Sequence, residues 1–155
     1  MSAPTASPPY ASYATIATVF LGGIATVAAL GRRTPAGSAL DLIALSAATF
    51  KASRTLSRER VASFVRQPFV EGDAEIGEDE RPAGEGLQRA IGELVTCPRC
   101  VGAWTAAGLA SAQVLSPEFG RLLTWSLGAA AANDFLHAAF KALCAKANEL
   151  EEINS

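Results

Sequence analysis

The chain has 155 residues, of which 50% are hydrophobic and 18% are charged, and its formal net charge is −2. This length fits one domain, residues 1–155. A disordered chain would carry more charge and fewer apolar residues, so the composition excludes that class. The slightly acidic balance gives no basic field for nucleic acid, and we expect no nucleic-acid partner. Three cysteines are too few for a disulfide-stapled miniprotein.

Four apolar segments predict an all-α, membrane-embedded bundle of about four transmembrane helices. The first, from Tyr10 to Gly31, is uncharged and reaches the roughly 20 residues that a bilayer core requires. The second, residues 38–50, is short and would reach across with a snorkelling end at 51–56. Val101–Leu115 and Leu122–Leu143 follow. The alternative is a soluble helical bundle, with these segments as core helices.

A basic segment follows the second apolar segment. Lys51, Arg54 and Arg58 are three and four residues apart and therefore share one helix face, and Arg66 comes shortly after. Juxtamembrane basic side chains are attracted to anionic cytoplasmic lipid. These four residues are the candidate partner-binding or lipid-binding residues. The alternative is a solvated face that only carries the orientation signal.

The polar parts of the chain indicate an orientation. Residues 70–86 are predicted to be an acidic flexible loop, 1–9 a flexible N-terminus and 146–155 a polar tail. Seven basic residues flank the middle loop, against Arg32 and Arg33 at the first turn. The positive-inside rule then predicts a multi-pass protein of the bacterial cytoplasmic membrane, with the middle loop and both termini in the cytoplasm.

The motif Cys97-Pro98-Arg99-Cys100 is the one compact chemical motif in the sequence. Two thiols at this spacing can form a disulfide or supply two zinc ligands. His137 and Cys144 lie seven residues apart on one helix face and would complete a zinc site if the fold brought them to the motif. A purely structural role, with Pro98 fixing a turn, is the alternative, and no bound cofactor is the expectation. A reducing cytoplasm disfavours a structural disulfide.

Residues around this motif resemble a known family. The run Gly92-Glu93-Leu94-Val95-Thr96-Cys97-Pro98-Arg99-Cys100-Val101-Gly102-Ala103-Trp104 is similar to the signature GEL-x-TCP-x-C-x-G-x-W of DUF1360, small bacterial membrane proteins of unknown function. The run from Ala48 to Arg54, and Arg66-Gln67-Pro68-Phe69, resemble that family's basic helix end and its R-x-P-F element. The resemblance covers roughly residues 38 to 145. It departs at Lys51, where an Arg is usual, and at Arg99, where an aromatic is frequent.

The resemblance implies an integral membrane protein and no assigned activity. Within the motif, Gly102 would allow close packing and Trp104 suits the membrane interface. We expect Glu93 to pair with one of the arginines at 54, 58 and 66, because a carboxylate beside a membrane-embedded site needs a partner. Asp134, three residues before His137, is either a polar contact between helices or part of a proton relay or ligand pair.

Two functions from different classes remain. The first is a structural or adaptor component that binds a protein partner or anionic lipid through its cytoplasmic loop, within the bilayer and alone or as a homo-oligomer. The alternative is a membrane thiol-disulfide oxidoreductase or metal-binding protein that uses Cys97 and Cys100.

Overall fold

The computed structural model describes residues 9–31, 38–72 and 80–154. The predicted flexible N-terminus, the turn with Arg32 and Arg33 and the middle of the predicted acidic loop therefore lie outside the described residues. The described chain is almost entirely helical, which confirms the all-α prediction. Its elements, in chain order, are α1 Tyr10–Leu30, α2 Ala39–Arg58, a 3₁₀ turn Arg60–Ala62, α3 Ser63–Arg66, a 3₁₀ turn Gln67–Phe69, β1 Val70–Glu71, β2 Arg81–Pro82, α4 Gly86–Thr96, α5 Pro98–Leu115 and α6 Pro117–Asn154.

Local sequence signals set several helix boundaries. The Ser38 hydroxyl accepts a hydrogen bond from the Asp41 backbone N–H, and the Asp41 carboxylate accepts one from the Ser38 N–H, so α2 begins with a capping box. Pro98 and Pro117 are the first residues of α5 and α6, where a missing N–H costs nothing.

Successive long helices, in the order α1, α2, α5 and α6, run in opposite directions. Gly31, just after α1, lies against Val114 near the end of α5, and Gly102 near the start of α5 faces Ser53 near the end of α2. Gly128 of α6 lies beside Ala44 of α2. The starts of α1 and α5, the end of α2, and α4 therefore lie at one end, which we call the basic end because Lys51, Arg54, Arg58, Arg89 and Arg99 belong to it.

The described parts of the segment between α2 and α5, residues 59–72 and 80–96, lie at the basic end and are together called the strap. β1 and β2 pair antiparallel in it, with Val70 opposite Pro82 and Glu71 opposite Arg81. The main-chain N–H of Ala83 donates to the carbonyl of Phe69 at 2.9 Å and extends the pairing. The strap connects α2 to α5 and ends in α4.

Mostly small side chains fill the inside of the bundle, with Val101 and Leu109 of α5 also buried, and many large apolar side chains cover its outside. Ala48, Ala90 and Ala131 are almost fully buried, and Thr124 is 1% exposed. Large apolar side chains that are more than 40% exposed occur on all four long helices, among them Val19, Leu21, Leu42, Ile43, Leu115, Leu122, Leu136 and Phe140. This distribution is the reverse of that in an ordinary water-soluble domain.

Within the described residues, one helix is long and apolar enough to cross a membrane. It is α1, Tyr10–Leu30, with a mean hydropathy of 1.8 and no buried residue. Serine, threonine, asparagine, aspartate and histidine dilute the hydropathy of α6. All four membrane spans remain predictions, and α1 is the one described helix that meets this length and hydropathy criterion.

Candidate functional site

Cys97 and Cys100 lie together at the junction between α4 and α5. Cys97 is the N-cap of α5, and its Sγ accepts a hydrogen bond from the Cys100 backbone N–H at 3.3 Å. The two sulfur atoms are 2.6 Å apart, and both thiols are free. Pro98 occupies the first helical position and fixes the turn that sets this distance. The sequence-predicted pair is therefore assembled, at the exposed start of a helix.

The two thiols differ in acidity. The hydrogen bond donated by the Cys100 thiol lowers the pKa of Cys97, and the N–H groups of the first turn and the Arg99 charge lower it further. The same thiol–thiol hydrogen bond, together with burial, raises the pKa of Cys100 to about 11. The pair thus loses its first proton from Cys97 and keeps the second on Cys100. This arrangement gives one nucleophile and one thiol that can resolve a mixed disulfide.

A groove of about 470 Å³ lies beside Cys100, between α1, α4 and α5. Its walls are mostly apolar, and the rings of Phe20 and Trp104 pack in it with their centroids 4.9 Å apart. Trp104 therefore packs against α1. Glu93 and Tyr13 are the polar groups at its edge, with Cys100.

Glu93 holds α1 and α4 together. Its carboxylate accepts a hydrogen bond from the Tyr13 hydroxyl and one from Arg89 Nε at 3.1 Å. The expectation that its partner would be an arginine of the preceding basic segment is wrong. Arg89 lies one helical turn before Glu93 and reaches it without any tertiary contact, whereas Arg66 is occupied by Glu80.

Arg66 is completely buried in the strap. Its Nε and Nη2 donate to the two carboxylate oxygens of Glu80 at 2.7 and 2.9 Å. Its Nη1 donates to the carbonyls of Leu56 and Glu59 at 2.8 and 3.1 Å. The proposed lipid-binding role of Arg66 is therefore wrong, because the guanidinium is fully enclosed by protein and cannot reach a headgroup.

The residues after Arg66 fasten α4 to the strap. The Pro68 carbonyl accepts a hydrogen bond from Gln88 Nε2 at 3.0 Å. Gly92 is buried, and a Cβ atom there would collide with the Phe69 carbonyl oxygen and crowd Pro82. The Arg66-to-Phe69 element and the start of the cysteine motif are thus parts of one packed unit, although they are far apart in the sequence.

Lys51 joins α2 to α6. Its Nζ lies 2.7 Å from Glu59 and 3.0 Å from Asp134, and its side chain is mostly buried. Phe50 stacks on Phe135 beside this contact, with centroids 5.4 Å apart. Asp134 therefore makes a contact between helices. Arg54 and Arg58 are exposed, and Arg54 lines a depression of about 420 Å³ next to Lys51.

The fold does not assemble the four-ligand metal site. Among residues 9–31, 38–72 and 80–154, no group of three or more His, Cys, Asp or Glu side chains could hold a metal ion. His137 and Cys144 are exposed on the part of α6 beyond its contact with Lys51, so they do not join Cys97 and Cys100. Zinc binding would have to use the two motif thiols with ligands from elsewhere.

The sequence missed Glu80 and Tyr13 as partners of site residues. Glu80 is one of six acids in a loop-like run, and nothing in that run distinguishes it. The one sequence signal for Tyr13 is its place in the first turn of α1. Gly102, predicted to allow close packing, faces Ser53, with 3.9 Å from a would-be Cβ to the serine Cβ.

Comparison with known proteins gives one match. The model of the family described as "Protein of unknown function (DUF1360)" matches residues 44–140. No curated protein matches the chain, and no solved structure matches it. The matched range covers most of the chain, from the middle of α2 through the strap and α5 into α6.

Proposed function

The chain belongs to the DUF1360 family, and from this premise we propose that it is a multi-pass membrane protein whose basic end is an adaptor surface in the cytoplasm. In this proposal α1, α2, α5 and α6 cross the bilayer. The adaptor surface binds anionic lipid or an acidic partner. It has no catalytic role.

The proposal that the bundle lies in a membrane rests on the distribution of its side chains, with small residues inside and large apolar residues outside. Water-soluble proteins rarely expose contiguous apolar patches beyond a few hundred Å². Here leucine, isoleucine, valine and phenylalanine side chains are exposed on all four long helices, and alanine, serine and threonine lie between the helices. Small residues at helix contacts and large apolar residues facing outward are typical of helices surrounded by lipid.

The alternating direction of the helices supports the topology. Lys51, Arg54, Arg58, Arg89 and Arg99 lie at or next to the basic end, while Arg121 lies at the start of α6 at the opposite end. The basic excess at one end fits a cytoplasmic strap. The start of α1 and the end of α6 then lie on the same side.

Labelling of single cysteines in a cysteine-free background tests this topology. Glu85→Cys in the strap should resist a membrane-impermeant thiol reagent on intact cells and react after lysis. Ser116→Cys, in the turn between α5 and α6, is the matched control and should react on intact cells. The reverse pattern would refute the proposed orientation. Release of the protein from membranes by a high-pH carbonate wash would refute the membrane proposal itself.

Arg54 and Arg58 are the residues proposed to bind the anionic partner. Both are exposed near the end of α2. Each basic side chain near an anionic surface contributes about 1 kcal/mol. We expect the double change Arg54→Gln with Arg58→Gln to lower the anionic phospholipid that copurifies in detergent. Arg121→Gln, at the other end, is the control and should change it little. Equal losses in both variants would refute a localised surface.

The short distance between Cys97 and Cys100 supports a second candidate function, a thiol-disulfide exchange site. In that reaction the Cys97 thiolate attacks a disulfide of the partner, and the Cys100 thiol then resolves the mixed disulfide, so that the partner is reduced and the pair oxidised. The test is incubation of the purified protein with a small disulfide such as oxidised glutathione. A new disulfide between residues 97 and 100, with release of two equivalents of the small thiol, would favour this function. Unchanged free thiols would leave the pair a structural element.

A further inference from the structure

α6 is much longer than the bundle around it. It has 38 residues, which corresponds to about 57 Å, against roughly 30 Å for a bilayer core. Its contacts with α2 include the Asp134–Lys51 ion pair and the Phe135–Phe50 stack. Residues 135–151 are all exposed. The C-terminal part of α6 therefore stands clear of the other helices of its own chain.

A continuous stripe runs along the outer face of α6, opposite to the buried residues Thr124 and Ala131. Its members are four and three residues apart in strict alternation, and every one of them is exposed: Leu122, Ser126, Ala129, Asn133, Leu136, Phe140, Leu143, Ala147 and Leu150. This is the spacing of the inner positions of a coiled coil. The leucine and phenylalanine side chains of the stripe are 49 to 70% exposed. We call this set the α6 stripe.

Asn133 is the one amide in the α6 stripe. Among the residues that the structure describes, its carboxamide has no hydrogen-bond partner, although it is flanked along the stripe by Ala129 and Leu136. A carboxamide surrounded by apolar side chains needs a hydrogen bond. In a two-stranded parallel coiled coil, an asparagine at such a position meets its own copy across the symmetry axis and fixes the register.

The charges next to the stripe favour the same partner. In the repeat defined by the stripe, Lys146 and Glu151 occupy the two flanking positions of successive turns. A parallel, in-register pair of helices places Lys146 of each copy beside Glu151 of the other, so that two opposite-charge contacts form about the two-fold axis. Two copies with the same membrane topology also necessarily have parallel α6 helices.

We propose that the α6 stripe docks a second copy of this chain, so that two α6 helices form a parallel two-stranded coiled coil. The proposal goes beyond the adaptor function. It rests on the proposed membrane placement only for the parallel direction of the two α6 helices. The positions of Lys146 and Glu151 favour the same direction. The other occupant that the stripe could have is lipid alone, and the experiments below separate the two.

Disulfide crosslinking tests the contact directly. In a background with Cys97, Cys100 and Cys144 replaced by serine, Ala147→Cys lies in the stripe and Ala145→Cys lies on the opposite face of the same turn. We expect mild oxidation of native membranes to give a covalent dimer through position 147 at least tenfold more efficiently than through position 145. Equal or absent crosslinking at the two positions would overturn the proposal and leave lipid as the occupant.

Charge reversal tests the same contact in the chain with its native cysteines. Lys146→Glu should weaken the dimer about tenfold in detergent, as read by the molecular mass across a concentration series, because it brings like charges together. Adding Glu151→Lys should restore the wild-type dissociation constant to within about twofold. The double variant does not restore the ion pair between Lys146 and Glu149 within one helix. A recovered dissociation constant would therefore come from the contact between the two copies. Lys141→Glu, outside the stripe and its flanks, is the control.

The outcomes distinguish this inference from the proposed function. A protein that carbonate releases from membranes but that still crosslinks through position 147 refutes the membrane proposal and supports the dimer. A protein that stays in the membrane and remains monomeric by mass overturns the dimer alone. Failure of Glu151→Lys to rescue Lys146→Glu, with Lys141→Glu unchanged, also overturns the parallel register.

Discussion

Removal of one partner from the Arg66–Glu80 pair should destabilise the protein more than any other single change at the basic end. Both side chains are at most 1% exposed, and the guanidinium makes four hydrogen bonds. Glu80→Ala leaves a buried, unpaired positive charge, and breaking such a pair costs about 3–5 kcal/mol. At about 2–4 °C per kcal/mol for a chain of this size, the midpoint of thermal unfolding should fall by about 6–20 °C.

A double replacement separates the charge from the packing. Arg66→Met with Glu80→Leu removes both charges. It leaves the Leu56 carbonyl without its guanidinium donor, which costs about 1–3 kcal/mol, whereas the Glu59 carbonyl still accepts from the Ala62 N–H at 3.2 Å. From the middle of the two ranges, the double variant should be more stable than Glu80→Ala by about 2 kcal/mol. Thermal unfolding in detergent, followed by the helical circular dichroism signal, measures all three proteins.

The control is the exposed pair on α6. Glu149→Ala removes an ion pair whose side chains are about 60% exposed, and such pairs contribute about 0–1 kcal/mol. The reasoning fails if Glu80→Ala shifts the unfolding midpoint no more than Glu149→Ala does. It also fails if the double variant is less stable than the single one, because the dominant cost would then be lost packing.

Three further changes have sharp expectations. Gly92→Ala should lower the free energy of unfolding by about 1–3 kcal/mol, because its Cβ atom would collide with the Phe69 carbonyl of the strap. Gly102→Ala, which has room for a Cβ atom, should be neutral or slightly stabilising. Equal effects of the two changes in thermal unfolding would contradict the packing described here. In alkylation followed by peptide mass analysis, Cys97 should react at lower pH than Cys100, because its lowered pKa gives thiolate at lower pH and the raised pKa of Cys100 moves thiolate formation to higher pH. Cys97→Ser should make Cys100 react at lower pH. Faster modification of Cys100 than of Cys97 in the unchanged chain would refute this order. Asp134→Ala should lower the free energy of unfolding by about 1–3 kcal/mol in the same assay, because it removes one of the two carboxylates that pair with the mostly buried Lys51. A decrease below about 0.5 kcal/mol would show that the contact between α2 and α6 is not stabilising.

The sequence predicted the helical architecture from local signals. The uncharged, mostly apolar run from Tyr10 to Gly31 predicts a single long helix, and α1 forms over nearly that range. The motif after Gly92 predicted the paired thiols, because a spacing of three residues at a helix start brings two side chains together whatever the rest of the fold does.

The contacts of the strap were not predictable in the same way. Arg66 belongs to a series of arginines that look alike in the sequence, and it differs from Arg54 and Arg58 only because β2 brings Glu80 against it. The arginine predicted to pair with Glu93 is wrong for a related reason. Its helical neighbour Arg89 satisfies it locally, and only the arrangement of the strap shows that Arg66 is already occupied. Partner choice between like charges is a tertiary property.

The polar contacts of the strap and the exposed apolar side chains of the long helices have a common physical explanation. A core in which alanine, serine and threonine predominate, with Val101 and Leu109 as its larger apolar side chains, buries little apolar area, so hydrophobic burial inside one copy contributes less than in a soluble domain of this length. The strap is therefore fastened by polar contacts with strict geometry, such as the bidentate Arg66–Glu80 pair. Many large apolar side chains instead face outward. In the proposals above they contact lipid and, along the α6 stripe, a second copy of the chain. Dimer formation and membrane insertion then supply the apolar contacts that the small-residue core lacks, so detergent-solubilised monomer should unfold at a lower temperature than the dimer.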